Sequence, residues 1–195
     1  DEQLILRTKL KKSSIFKDYF NNDSPVILFI GRLEPKKQLG NIIQMVSNLQ
    51  NKGINTNIVF IGKGSDSEKL NLNASVWFYG SCYDENRIAE LIYNADICLS
   101  PGNVGLTSIH SLSFGTPVIT HSNFAHQMPE FEAIINNKNG AFFEENNMES
   151  MTKVVSDWLQ KYPIKTKEIV DSCYKIIDQK YNPYYQLEVL KRTIL

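Results

Sequence analysis

The 195-residue chain has no surplus of either charge, with 21 lysines and arginines against 21 aspartates and glutamates. Nucleic acid and anionic membranes are met by basic excess, so neither is indicated and any phosphate site must be local. Cysteine is scarce: Cys82, Cys98 and Cys173 are odd in number and widely spaced. No pair has zinc-finger or redox spacing, which points to reduced thiols in a cytosolic compartment, with Cys98 in the core. No run approaches the roughly 18 to 20 apolar residues that span a bilayer, and the first residues are too polar for a signal peptide. There is no internal repeat and no low-complexity segment.

Several motifs are missing. Without G-x-G-x-x-G the dinucleotide fingerprint is absent, which disfavours a dehydrogenase, and without G-x-x-x-x-G-K-[ST] a P-loop NTPase is disfavoured. His110, His121 and His126 lack H-E-x-x-H or other tight ligand spacing, so no metal is expected. Sequons at Asn22-Asp23-Ser24 and Asn73-Ala74-Ser75 read as chance outside a secretory compartment. The chain opens at Asp1 with a polar lead-in, as a piece of a longer protein does.

What is present is an ordered alternation. Residues 1–24 mix helix-compatible pieces with lysines and end in a turn cluster, reading as a linker with a docking helix. Continuous apolar runs rich in β-branched residues follow at Val26–Ile30, Ile58–Ile61, Val76–Tyr79, Ile97–Leu99, Pro117–Thr120 and Gly140–Phe143. Such runs, bounded by turn residues, are what strands buried on both faces require. Helical spacing separates them: Ile42, Ile43, Val46 and Leu49, then Glu85–Asn94, then Thr107–Phe114. From Met148 onward the pattern is helical, ending in an amphipathic helix through Leu195. The expected fold is α/β: a doubly wound, Rossmann-like parallel sheet of about six strands, helices on both faces, and C-terminal helices. Its ligand site belongs at the carboxyl ends of the strands.

Those ends carry the candidate chemistry. Gly31 is followed by Arg32 and Lys37, two cations able to clamp a diphosphate; on spacing alone, two cations on a solvated loop are the commoner outcome. Gly102, Asn103, Val104, Gly105, Leu106 and Thr107 follow the fourth strand and open a helix. Free backbone N–H groups of Val104, Gly105, Leu106 and Thr107, with the helix dipole, suit an anion, while a glycine-bearing turn that only caps the helix remains open. Gly62-Lys63-Gly64 is a weaker instance of the same kind. His110, one turn past Leu106, is either a neutral partner for a ribose or a structural core histidine. His121 and Asn123 are placed at the site rim, and Glu130 and Glu132 read as solvated surface.

Together these segments resemble the C-terminal domain of glycosyltransferase family 4, retaining enzymes built from two Rossmann-like domains (GT-B). Val26–Lys37 is similar to the family's strand followed by G-R-L-x-P-x-K, and Ile61–Gly64 to its I-G-x-G. Phe78–Gly80 is similar to F-x-G, Ala95–Pro101 to A-D-x-x-x-x-P, Gly115–Ile119 to G-x-P-V-I, and Glu132–Gly140 to the segment that follows. The resemblance covers about residues 26–145 in order. It implies that Arg32 and Lys37 hold the donor diphosphate, that Gly31, Gly62, Gly102, Asn103, Val104, Gly105, Leu106 and Thr107 line the donor site, and that Gly80 and Ser81 lie at the base. The family's two glutamates, one touching the donor sugar and one the ribose, are here Gly102 and His110, and Gln38 replaces the usual glycine after the lysine. On this reading ribose contact passes to His110.

The resemblance further implies a nucleoside-diphosphate sugar donor, UDP-sugars slightly favoured, with no cofactor and no metal. It also implies a glycan or lipid-linked acceptor, no nucleic acid, and an N-terminal Rossmann-like domain of the same protein as partner. Residues 25–180 form the nucleotide-sugar-binding domain, and residues 181–195 a helix packing back towards the missing domain. The location expected is cytoplasmic, with peripheral attachment at the inner face of the membrane through that domain. Two alternatives stand beside this: a non-catalytic nucleotide-binding or interaction module that kept the fold, and third, a sugar-nucleotide epimerase of GT-B architecture.

Overall fold

The computed structural model describes residues 2–67 and 74–194; Asp1, Leu195 and Asn73, which opens the second sequon, lie outside them. Two short helices come first, α1 (Glu2–Lys9) and α2 (Ile15–Phe20). The alternation then runs β1 (Val26–Ile30), α3 (Leu39–Asn51), β2 (Asn57–Ile61), β3 (Val76–Gly80), α4 (Glu85–Asn94), β4 (Ile97–Ser100), α5 (Leu106–Ser113), β5 (Val118–His121) and β6 (Gly140–Phe143). Helices α6 (Met148–Lys161), α7 (Lys167–Lys180) and α8 (Pro183–Ile194) complete it. The six strands form one parallel sheet in the order β3-β2-β1-β4-β5-β6, the doubly wound arrangement expected. No described helix is long and apolar enough to cross a membrane.

Side-chain alternation explains why the strands read as unbroken apolar runs. Ile27 and Phe29 of β1, with Ile58 and Phe60 of β2, face one core that also takes Ile42, Met45 and Leu49 of α3 and Val155 and Leu159 of α6. Val26 and Leu28, with Val59 and Ile61, face the other, closed by Phe16 and Phe20 of α2 and by Ile88, Leu91 and Ile92 of α4. Each strand is thus apolar on both faces because helices cover both. The segment expected as a linker contributes two buried phenylalanines to that second core. Arg7 fastens α1: its Nε donates to the Ser113 carbonyl at 2.6 Å, its guanidinium meets Asp178 at 2.6 Å, and it lies over the Tyr174 ring.

Helix starts follow local chemistry. The Asp84 carboxylate accepts from the Asn86 and Arg87 amides, Asn147 caps α6, and Thr166 caps α7, each removing an otherwise unpaired donor. Four strands differ from expectation by a residue: β2 starts at Asn57 and β3 runs on to Gly80. β4 runs on to Ser100, and β5 is shifted by one, from Val118 to His121; Pro117 has no N–H to give, and its carbonyl accepts from Cys98 just before the strand. The order reverses between β1 and β4, so the carboxyl ends of these two strands flank the switch point where such sheets bind ligands.

Candidate functional site

The loops leaving β1, β2 and β3 are hydrogen-bonded beyond the strands. Gly31 N donates to Ile61 O at 3.0 Å, Gly62 N to Gly80 O at 2.8 Å, and Leu33 N to Lys63 O at 3.1 Å. The approach is so close that a Cβ on Gly62, whose φ is +141°, would run into the Gly31 carbonyl. Above this floor lies an open cleft of about 990 Å³ lined by Gly31, Arg32, Glu34, Gly62, Lys63, Ser81, Cys82 and Tyr83, among others. Arg32 projects with its side chain 82% exposed and only a loose approach to Glu34, 3.7 Å away. Of the residues expected at the site, the cleft gathers Gly31, Arg32, Gly62 and Ser81; Lys63, Cys82 and Tyr83 join them without having been singled out as ligands.

The remaining expected residues sit across the switch point, where β4 leads into α5. The hydroxyl of Thr107 donates to the Ile30 carbonyl at 3.2 Å, which docks the first turn of α5 on the end of β1, beside Gly31. The Gly105, Leu106 and Thr107 amides have no hydrogen-bond partner among the described residues. Three unpaired donors at a helix start, reinforced by the helix dipole, are an anion cradle. The fourth expected donor is a correction: Val104 N–H is not free, because it gives its hydrogen to Gln127 Oε1 at 2.7 Å. Gln127 in turn donates to the Thr120 hydroxyl and the His121 carbonyl, strapping the segment after β5 over the loop.

Lys37 does not line the cleft. Its Nζ donates to the carbonyl of Asn103 at 2.6 Å and to Asn103 Oδ1 at 2.9 Å, so the cation braces the anion loop from below. Burial, with a smaller contribution from Lys36, pulls its pKa below the ordinary lysine value against the opposing pull of Glu34. Gly102 is buried where the turn Pro35–Lys37 crosses it, and a Cβ there would strike the Lys36 carbonyl. Gln38, in the place of the usual glycine, has φ +54° and ψ +43°, the left-handed region in which glycine is unstrained.

His110 lies on α5 with its ring 5.2 Å from that of Phe114, its Nε2 shut off from water without a hydrogen-bond partner, and Glu85 Oε2 3.7 Å away. Burial lowers its pKa, with Glu85 opposing. His121 corrects its expected place on a rim loop: it ends β5 and is 1% exposed, its Nδ1 unpartnered. Asn123 and His126 both hydrogen-bond the Glu145 carboxylate, at 2.7 and 2.9 Å. Glu130 is also less solvated than expected, since its Oε2 is buried without a partner. Among the described residues no three His, Cys, Asp or Glu side chains gather as metal ligands.

Fold and site together define a Rossmann-like domain with three unpaired backbone amides at its switch point. The chain matches the Glycosyl transferases group 1 family over residues 11–175 and belongs to it. Among curated relatives it is 29% identical over 109 residues to a glycogen synthase of Hydrogenovibrio crunogenus, covering 51% of this chain and 22% of that protein. It is 28% identical over 134 residues to the putative glycosyltransferase EpsD of Bacillus subtilis, covering 64% of this chain and 33% of that one. Solved structures of the same fold include sucrose-phosphate synthase of Thermosynechococcus elongatus, with TM-score 0.73, 16% identity, and coverage of 96% of this chain and 50% of that one. Anabaena HepE in complex with UDP-glucose superposes with TM-score 0.71 at 16% identity, covering 93% of this chain and 52% of that one. The chain therefore spans a third or less of these curated relatives and about half of these structures, and it is a glycosyltransferase group 1 domain of GT-B type.

Proposed function

We propose that this chain is the donor-binding half of a retaining glycosyltransferase. It takes a nucleoside-diphosphate sugar, UDP-sugars favoured, and passes the sugar to an acceptor hydroxyl on a glycan or lipid-linked molecule in bacterial surface polysaccharide or glycan synthesis. The observation that carries this reading is the cradle of unpaired Gly105, Leu106 and Thr107 amides at the switch point, beside exposed Arg32 and braced by Lys37. Negative charge grows on the diphosphate as the sugar leaves, and preorganised amides and cations stabilise that charge. The donor class is supported by the complex of HepE with UDP-glucose. No metal is required where cations and amides meet the leaving group. The acceptor side belongs to an N-terminal Rossmann-like domain of the same protein, towards which α8 packs, in the cytoplasm or peripherally at the inner face of the membrane. Without that domain this chain binds donor and transfers poorly.

Calorimetric titration with UDP, GDP and ADP tests the reading, beside Arg32→Ala and Lys37→Ala. Selective binding of one nucleotide supports it, weakened roughly tenfold or more in Arg32→Ala by loss of a charge-assisted contact and also in Lys37→Ala, where the loop loses its brace at Asn103. A folded sample whose nucleotide binding ignores both substitutions favours the alternative of a non-catalytic module, a reading to which Gly102 lends weight by leaving the donor sugar without a carboxylate.

A further inference from the structure

His110 follows Thr107 by one turn of α5, so both side chains lie on the helix face that meets the end of β1. On the donor-binding reading, a nucleotide with its diphosphate at the α5 cradle and its base over the cleft lined by Ser81 and Tyr83 would carry its ribose along this face. The imidazole Nε2 is cut off from water with no hydrogen-bond partner, a costly position for a polar atom. What faces it, at 3.7 Å, is a carboxylate oxygen of Glu85, the first residue of α4, two positions beyond cleft-lining Tyr83. The Glu85 carboxylate has no other partner among the described residues, and His110 Nδ1 is not among the buried, unpartnered atoms.

A negative charge beside one ring nitrogen draws the proton to that nitrogen and leaves the other with its lone pair. We propose that Glu85 is a positioning residue: it holds the His110 proton on Nε2, so that Nδ1 accepts a hydrogen bond from a ribose hydroxyl of the bound nucleotide. The proposal rests on the donor-binding reading. It adds a residue from α4 to the site and makes the site selective for ribonucleotides over their deoxy counterparts. Burial keeps the imidazole below its ordinary pKa against the pull of Glu85, consistent with a neutral acceptor at pH 7.

Two measurements on the same samples test it. Nitrogen-15 NMR of histidine-labelled protein reads the tautomer directly: Nε2–H is expected in the wild type and in Glu85→Gln, whose amide oxygen still accepts, and a mixture in Glu85→Ala. Titration with UDP, 2′-deoxy-UDP and 3′-deoxy-UDP is expected to show one deoxy analogue binding about tenfold more weakly, the value of one hydrogen bond. That preference falls within about twofold in Glu85→Ala and His110→Ala and persists in Glu85→Gln. An Nδ1–H tautomer in the wild type, or equal discrimination in the wild type and Glu85→Ala, overturns the role of Glu85 while leaving UDP binding, and so the donor reading, intact. Failure of any nucleoside diphosphate to bind removes the donor reading itself, and the proposed ribose contact with it.

Discussion

Lys165, in the turn between α6 and α7, makes the stability of this domain depend on pH in a narrow window. Its Nζ donates to the Tyr93 carbonyl at 2.5 Å, the Ala95 carbonyl at 2.8 Å and the Thr116 hydroxyl at 2.8 Å, closing the C-terminal end of α4. Burial, with Lys12 adding and Asp96 and Cys173 opposing, lowers its pKa from 10.5 to about 7. The unfolded chain therefore keeps a proton that the folded chain gives up as pH rises through 7, and stability climbs with pH above that point. Between pH 7 and pH 8.5 the gain is about 1.5 kcal/mol. Higher pH confuses the reading, because Cys98, Cys173 and Tyr174, each pushed up to about 12 by burial, contribute with the opposite sign. Urea unfolding at pH 7.0, 7.75 and 8.5 measures the slope in the wild type and in Lys165→Met, where it should vanish. The variant should also lose roughly 2–4 kcal/mol at pH 7 from acceptors left buried and unpaired. A wild type as flat as the variant refutes the argument: three acceptors matched to three ammonium hydrogens would then be holding the charge against desolvation.

Other substitutions test the site's construction. Gly102→Ala puts a methyl group into the Lys36 carbonyl and should cost about 2 kcal/mol or more in urea unfolding while weakening UDP binding in calorimetry through displacement of the loop beside it. Gln38→Gly relieves a left-handed residue at the loss of two polar contacts, to Asn41 and Asn146, and should raise the thermal midpoint by a gain of about 0.5–1 kcal/mol. Burial holds the His121 pKa down, with Glu145 opposing, so the unfolded chain takes up the proton first and stability falls as pH drops below about 6.5, the ordinary histidine value. Unfolding at pH 7 and pH 5.5 should show that fall in the wild type and a smaller one in His121→Asn.

The strands were legible because a strand buried on both faces has no polar side to interrupt it. Val26–Ile30 is such a run, and the sheet places its residues alternately in two cores. The glycines of the site were legible for a related reason: only where the chain bends sharply or backbones touch does a carbonyl, such as that of Gly31, exclude a Cβ. What sequence reasoning missed was long-range pairing. The Val104 amide looked free because its acceptor, Gln127, is 23 residues away, and Lys37 looked like a cleft residue because its partner, Asn103, is 66 residues away. The Arg7 and Lys165 anchors reach 106 and 72 residues along the chain. Polar partners of that kind leave no periodicity. Glu85 escaped notice for the same reason, since a glutamate in the first turn of a helix already has an adequate local explanation in the helix dipole.

The departures from the family pattern are physically connected. Position 102 lacks a carboxylate, and the space a side chain there would occupy is taken by the backbone of Lys36 and Lys37. The turn that fills that space ends at Gln38, whose left-handed backbone lets α3 begin directly at Leu39, and it delivers the Lys37 ammonium to Asn103 in the same loop. A glutamate placed at Gly102 alone would therefore collide with that backbone, and moving the turn to admit it would withdraw Lys37 from the loop. A carboxylate at this position requires the turn and the loop to change together, so Gly102→Glu by itself should lower nucleotide binding in the same titrations, and an increase would show that Lys36 and Lys37 yield without disturbing the cradle.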